Sequence, residues 1–233
     1  MGSITNWLAA MRGGVRGRCV LCFARAELPG LCSPCSADLP LVGARLCPVC
    51  ALPSPDGAVC GDCRAHPPGF DRCLAAHAYA FPVDRLVQGL KYRGLLSIAP
   101  ALGHRLAIVV RADRVPDIVL PMPLAAARLR ERGFNQALEI ARLLPRHLAA
   151  RLRPGLLERT RDTQPQAELP LDQRARNVQG AFVCRERIDG SHVAIVDDVM
   201  TTGATLDAAA AMLKQAGAAS VSGWIVARTL LGP

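Results

Sequence analysis

Aromatic side chains are scarce in this chain. They make up 4% of its 233 residues, which argues against a protein that holds single-stranded bases mainly on aromatic platforms. Long apolar runs are missing as well: no stretch reaches the roughly 20 residues that cross a bilayer. Lysine is nearly absent, with Lys91 and Lys214 the two examples, so the positive charge is almost all arginine. The N-terminus offers Trp7-Leu8-Ala9-Ala10-Met11, too short for a signal-peptide core and with no basic stretch before it. These absences predict a cytoplasmic protein without a membrane span. Ile4, Trp7, Leu8 and Met11 fall at helical spacing and predict a short helical segment within residues 1–18.

What is present is an ordinary core and an unusual number of cysteines. Half the residues are apolar (51%), and the length suits one domain plus a small appendage. The formal charge of +9 falls to about +5 if eight cysteine thiolates hold two Zn²⁺ ions. A modestly basic chain suits a polyphosphate ligand and a nucleic acid equally well.

Eight of the ten cysteines form C-x2-C pairs: Cys19/Cys22, Cys32/Cys35, Cys47/Cys50 and Cys60/Cys63. Nine residues separate the first two pairs, and nine the last two, so one pattern occurs twice in succession. Two thiolates at this spacing fit a tight turn and hold one edge of a tetrahedral metal; two such turns close the site. A closed four-sulfur site is structural. Disulfides fit poorly with an unsignalled chain in a reducing compartment. An iron–sulfur cluster is the other four-thiolate option, and the regular doubling favours two structural zinc ions. The repeat suggests sequential sites, with interleaved or nested pairing open. Pro29-Gly30, Pro53, Pro55 and Asp56-Gly57 read as turns between the pairs. So small a module has little core, and the metals are expected to supply its folding energy. Cys73 and Cys184 read as small apolar residues.

The texture changes near Asp71. Strands are expected at Arg72–Phe81, Asp117–Pro121, Ser191–Val196 and Ser220–Arg228. Helices are expected at Val83–Tyr92, Leu96–Ala112, Phe134–Arg151 (bent or split at Pro145) and Ala204–Gly217. Alternating apolar strands and helices predict an α/β fold with a parallel sheet covered on both faces.

The segment Val193–Thr205, VAIVDDVMTTGAT, carries the chemistry. A buried strand brings Asp197 and Asp198 to the carboxyl edge of the sheet, where open α/β folds bind ligands. Gly203 lets backbone approach an anion. Thr201, Thr202 and Thr205 add hydroxyls, and the helix that follows favours a phosphate at its N-terminus. Two acids beside that seat can accept hydrogen bonds from sugar hydroxyls. The pattern describes a ribose 5-phosphate site.

This segment resembles the 5-phosphoribosyl 1-diphosphate (PRPP) signature of type I phosphoribosyltransferases. GLKYRG (Gly89–Gly94), PMPL with RLRERGFNQA (Pro121–Ala137), RTRDTQPQAEL (Arg159–Leu169) and RARNVQGAF (Arg174–Phe182) resemble the competence protein F family (ComF, including GntX-type members). That resemblance runs from Cys19 to Leu230. It implies an α/β type I phosphoribosyltransferase fold over 71–233 behind a double zinc ribbon over 19–70. It implies PRPP as ligand, with Asp197 and Asp198 as the catalytic acids at the ribose hydroxyls. Thr201, Thr202, Gly203, Ala204 and Thr205 then form the 5-phosphate loop. Met122 and Pro123 stand where the superfamily receives diphosphate, with Mg²⁺ arriving on that diphosphate. Arg159–Gln166 takes the place of a mobile loop that closes over PRPP, with Arg161 placed to contact phosphate. Lys91, Arg128 and Arg132 are candidates for further phosphate contacts, Lys91 and Arg132 the stronger. Asn135 and Gln136 either cap a helix or touch ligand; His77 and His104 are given no role. The resemblance implies phosphoribosyl transfer to an acceptor the sequence does not identify, linked to DNA uptake and natural transformation. The alternative is a non-catalytic competence factor that binds single-stranded DNA and DNA-uptake proteins and uses the PRPP site for regulation.

Overall fold

A computed structural model describes residues 17–144, 150–161 and 180–230. The expected N-terminal helix, the bend at Pro145 and most of Arg159–Gln166 lie outside these residues.

Two short helices come first, α1 (Ser33–Ala37) and α2 (Gly61–Ala65), each directly after the first cysteine of a C-x2-C pair. The α/β part follows as β1 (Arg72–Ala78), α3 (Val83–Arg93), α4 (Ala99–Val110), β2 (Ile118–Pro121), α5 (Ala126–Arg132), α6 (Gln136–Ala141) and β3 (Arg151–Leu152). Then come β4 (Leu157–Arg159), β5 (Phe182–Cys184), β6 (His192–Met200), α7 (Ala204–Gln215) and β7 (Ser220–Arg228). Five strands form one parallel sheet in the order β1-β7-β6-β2-β3, and β4 pairs antiparallel with β5 in a separate hairpin. From β2 the chain passes to β3 on one side, whereas from β6 it passes to β7 on the other. The carboxyl ends of β2 and β6 therefore flank a topological switch point, where a crevice opens.

Both faces of the sheet are buried. Val193, Ile195 and Val221 face a cluster that includes Leu206, Ala210 and Leu213 of α7. Ala194, Val196 and Trp224 face a second cluster with Val87 and Leu90 of α3 and Leu102 and Leu106 of α4. The cysteine module is expected to have little core of its own, and it borrows this one. Cys19, Leu31 and Cys32 belong to the α3–α4 cluster. Cys47, Cys50 and Cys63 belong to the α7 cluster, so the two halves of the module pack on opposite faces. Its chain also covers the outer edge of β1: the Cys73 amide donates to Pro48 O at 3.2 Å and the Ala78 amide to Pro40 O at 3.0 Å. An open strand edge is thereby closed to other chains.

Two expectations change. The helix expected over Phe134–Arg151 is shorter: α6 ends at Ala141, and Arg151 is already strand. The helical α5 precedes it and stops at Gly133, whose φ of 78° needs no Cβ. Asn135 then caps α6, accepting from the Ala137 and Leu138 amides at 2.9 and 3.3 Å. The strand expected to stop at Val196 runs on to Met200, so Asp197 and Asp198 lie within β6 rather than after it.

Trp224 is fully buried and donates from Nε1 to Asp113 Oδ2 at 2.7 Å. Arg72 lies 3.2 Å from the other oxygen of that carboxylate. Asp113→Ala strands a buried indole N–H. The expected cost is about 2 kcal/mol, or about 5 °C in Tm by thermal denaturation; an unchanged Tm would contradict this account.

Candidate functional site

At the carboxyl end of β6 a cavity of about 340 Å³ opens between α3 and the start of α7. Asp197 and Lys91 line it, together with the whole turn Thr201–Thr205. Tyr79, Gln88 and Tyr92 form the side toward α3. The turn is tight because Gly203 has φ 88°, and a Cβ there would stand 2.7 Å from the Met200 methyl. Both the conformation and the close approach require glycine. Gly203 caps α7, so the hydroxyls of Thr202 and Thr205 stand at a helix N-terminus, where an anion is favoured.

The two carboxylates have different surroundings. Asp198 is 3% exposed and sits behind the wall. The Lys91 ammonium lies 2.9 Å from its Oδ2. The approach is off the angle of a hydrogen bond, so that oxygen has a counter-charge without a hydrogen-bond partner. Burial opposes the Lys91 charge, but the Asp198 carboxylate outweighs it and holds the ammonium protonated. Asp197 is on the wall itself. Burial first, and the Asp198 charge second, push its carboxyl up to about 8, with Lys91 pulling the other way. At neutral pH the ligand-free site thus presents a protonated acid, a fixed ammonium and several hydroxyls.

Other expected residues are placed differently. Met122 and Pro123 are buried at the end of β2 and are not among the cavity's lining residues. Met122 donates its amide to Val196 O and accepts from Asn135 Nδ2 at 3.0 Å. Arg132 donates to Gln136 and stands 5.6 Å from the centre of the Tyr92 ring, at the rim. Arg128 is half-buried on α5. Arg161 is the last described residue before position 162 and does not line the cavity. Beside it, the Thr160 amide donates to Ala181 O at 2.9 Å, next to the β4–β5 pairing. His77 is fully buried and donates from Nδ1 to Pro40 O, and burial pushes its pKa down to about 4.

Sequence reading missed one residue with an evident place, Arg228. It is 2% exposed, and its guanidinium donates to Cys50 O, Met200 O, Thr201 O and Thr229 O. The signal was an arginine closing an otherwise apolar strand, SVSGWIVAR.

The eight paired cysteines form two sets, Cys19, Cys22, Cys32, Cys35 and Cys47, Cys50, Cys60, Cys63, with sulfurs within 4.8 Å of one another in each. The sequential arrangement is thus the one the fold adopts. Cys22 and Cys32 sulfurs are 3.6 Å apart, Cys50 and Cys60 sulfurs 3.7 Å. Those distances match the edge of a tetrahedron with Zn–S bonds of about 2.3 Å, and exceed a disulfide bond by far. The thiols also fit a cation. Burial opposes ionisation of Cys19, but the amides of Cys22, Cys32 and Leu21 bring it down to about 6. In the other set the same balance brings Cys47 to about 7. Their partners move the opposite way: the Cys32 side chain raises Cys35, and burial with Cys60 and Cys50 raises Cys63. Four thiolates coexist there only around a metal. Two four-cysteine zinc-binding sites fit this geometry.

Comparison with known proteins agrees. Residues 16–64 match a double zinc ribbon domain and residues 140–228 a phosphoribosyl transferase domain. The chain is 37% identical to DNA utilization protein YhgH of Escherichia coli O6:H1 over 225 residues, covering 93% of this chain and 99% of that one. It is 28% identical to competence protein F of Haemophilus influenzae, covering 91% and 96%. Among solved structures, a purine phosphoribosyltransferase from Pyrococcus horikoshii aligns with 57% of this chain and 76% of its own, at 20% identity and a TM-score of 0.35.

Two measurements check the site. Mass spectrometry under non-denaturing conditions is expected to find two zinc ions per chain, and one in Cys63→Ser; a single ion in the wild type would contradict the assignment. The raised Asp197 carboxyl lets the folded state hold a proton that the unfolded chain loses near its ordinary pKa of 3.8. Its contribution to stability is therefore full below that pH and lost as pH rises toward about 8. Asp197→Asn is expected to raise Tm at pH 8 more than at pH 5; equal shifts at both would sink this reading.

Proposed function

The chain belongs to the family of DNA utilization protein YhgH and competence protein F, and on that premise we propose that it binds PRPP with Mg²⁺ and transfers its phosphoribosyl group. The supporting observation is the cavity at the end of β6, where a carboxyl, an ammonium and a threonine-rich helix N-terminus meet. In this reading Thr201, Thr202, Gly203, Ala204 and Thr205 hold the 5-phosphate by hydroxyl and amide hydrogen bonds. Asp197 takes the ribose hydroxyls. Asp198 fixes Lys91, whose ammonium faces the ligand's negative charge. Met122 and Pro123 border the diphosphate from the neighbouring strand, Arg132 stands at the rim, and Arg161 approaches from the hairpin end.

Transfer breaks the bond from the anomeric carbon to diphosphate oxygen, and the acceptor's lone pair forms the new bond there. The leaving diphosphate keeps the electron pair, and the acceptor's proton passes to solvent. The protein's part is to position the two ends, offset charge and exclude water. For Mg²⁺ the described residues around the pocket offer no cage, since Asp198 is engaged by Lys91 and burial favours the protonated form of Asp197. The fit is to an ion carried on the diphosphate oxygens, where it supplies neutralisation of the leaving charge.

A second reading, a single-stranded-DNA-binding competence factor with a regulatory PRPP site, is favoured by the rim. Tyr92 is 73% exposed there, with Arg132 over its ring and the exposed Arg85 and Arg93 on the same helix. Aromatic and arginine groups together suit unstacked bases on a phosphate backbone.

PRPP with Mg²⁺ is expected to raise Tm by several degrees at saturation, with no rise in the Asp197→Asn/Asp198→Asn variant. Diphosphate release is then measured across nucleobases and nucleotides. No rise in Tm would end the PRPP reading. A rise without diphosphate release, together with steeply salt-dependent binding of an oligodeoxynucleotide, would select the second.

A further inference from the structure

Arg228 is a cation in the wrong place for an ordinary protein. It is buried, and burial works against its charge. Among the described residues no carboxylate lies within ion-pair distance of it; its partners are four backbone carbonyls. Hydrogen bonds from Nε and one terminal nitrogen to carbonyls do not neutralise it, and a buried charge without a counter-charge is costly. Its Nε donates to the carbonyl of Cys50, a member of the second cysteine set. Four thiolates around one Zn²⁺ carry a net charge of about −2, which suits a neighbouring guanidinium.

The same arginine spans two loops. Its Nε donates to Cys50 O at 2.9 Å, inside the turn that carries ligands Cys47 and Cys50. One terminal nitrogen donates to Met200 O at 3.0 Å and to Thr201 O, where the phosphate loop begins. Other contacts run alongside. The Cys73 thiol touches the Met200 sulfur at 3.5 Å, and the Cys73 amide donates to Pro48 O in the cysteine turn. Met200 in turn packs under Gly203. A planar fork with fixed donors can set the spacing of carbonyls on both loops; a lysine cannot.

We infer that Arg228 is a positioning residue for the phosphate loop, holding Met200 and Thr201 against the Cys47–Cys50 turn with the second zinc centre as its counter-charge. It touches no ligand. Because the two loops share one guanidinium, metal retention and ligand binding are linked, and linkage runs equally in both directions. The ligand side of this rests on the PRPP reading above.

The test uses the full chain with both zinc ions. In wild type, zinc release to an excess of a chromophoric chelator is followed with and without PRPP and Mg²⁺. One of the two release phases is expected to slow about fivefold or more; neither slowing while calorimetry reports PRPP bound, or both slowing equally, overturns the inference. Arg228→Met, with two zinc ions retained, is expected to weaken PRPP binding about tenfold, with Arg228→Lys between it and wild type. An unchanged Kd in either folded variant overturns it. If wild type binds no PRPP, the reading of the pocket fails by itself, and hydrogen exchange still decides the positioning. Amides of residues 201–205 should exchange faster in Arg228→Lys than in Val110→Ala, a buried substitution on α4 matched for lost stability. Equal protection in the two would refute the role.

Discussion

Two carboxylates held next to each other at the buried end of a strand cannot both stay charged unless a positive group comes close. Much of the local structure answers that constraint. The chain supplies one lysine for the purpose, and α3 must lie against β6 for Lys91 to reach Asp198. Leu86, Val87 and Leu90 on the buried face of α3 fix that approach by packing on the sheet. The other carboxyl is left to hold its proton. One acid therefore serves as anchor for a cation, and its neighbour as a neutral hydrogen-bonding group. Residues identical in type differ in role because one faces Lys91 and the other the cavity.

The cysteine module belongs to the same economy of charge and surface. Its two halves grip opposite faces of the sheet, so its few apolar residues are shared with α3, α4 and α7. A module of this size cannot bury enough apolar area alone. Here metal sites and the host sheet both contribute, and the host gains a covered β1 edge in return. The second cysteine set lies closer to the candidate site, through Arg228 and Cys73. The first packs with α4, where Gly30 meets Ala101.

How much of this the sequence discloses depends on range. The cysteine spacing and the strand–acid–threonine segment are local patterns, and the zinc-ligand sets and the turn at Gly203 were readable from them. The α5–α6 break was also local, since Gly133 and Asn135 are stop and start signals within three positions. The expected helix accordingly began at Phe134; what the apolar pattern overran was its other end, since α6 stops at Ala141. Strand β3, two residues long, and hairpin β4–β5 carry too few residues for any period. What no local pattern could give is pairing across the fold. Lys91 with Asp198, Trp224 with Asp113 and Arg228 with Cys50 each join distant segments. The different fates of Asp197 and Asp198 follow from those pairings and from nothing in the dipeptide.

That difference bears on what the cavity is suited to hold. A pair of full negative charges beside a helix N-terminus would repel a phosphate as fast as the threonine loop attracts it. With Asp197 protonated and Asp198 matched to Lys91, the pocket wall has no net negative charge. A bare phosphate would use the loop and leave the Asp197 carboxyl without work. A neutral sugar would use the carboxyl and leave the ammonium and helix terminus unmatched. Both halves are used by a ligand that carries hydroxyls and phosphate on one small ring. On the proposed reading, a sugar phosphate uses both halves of the pocket, where either of its parts alone uses one.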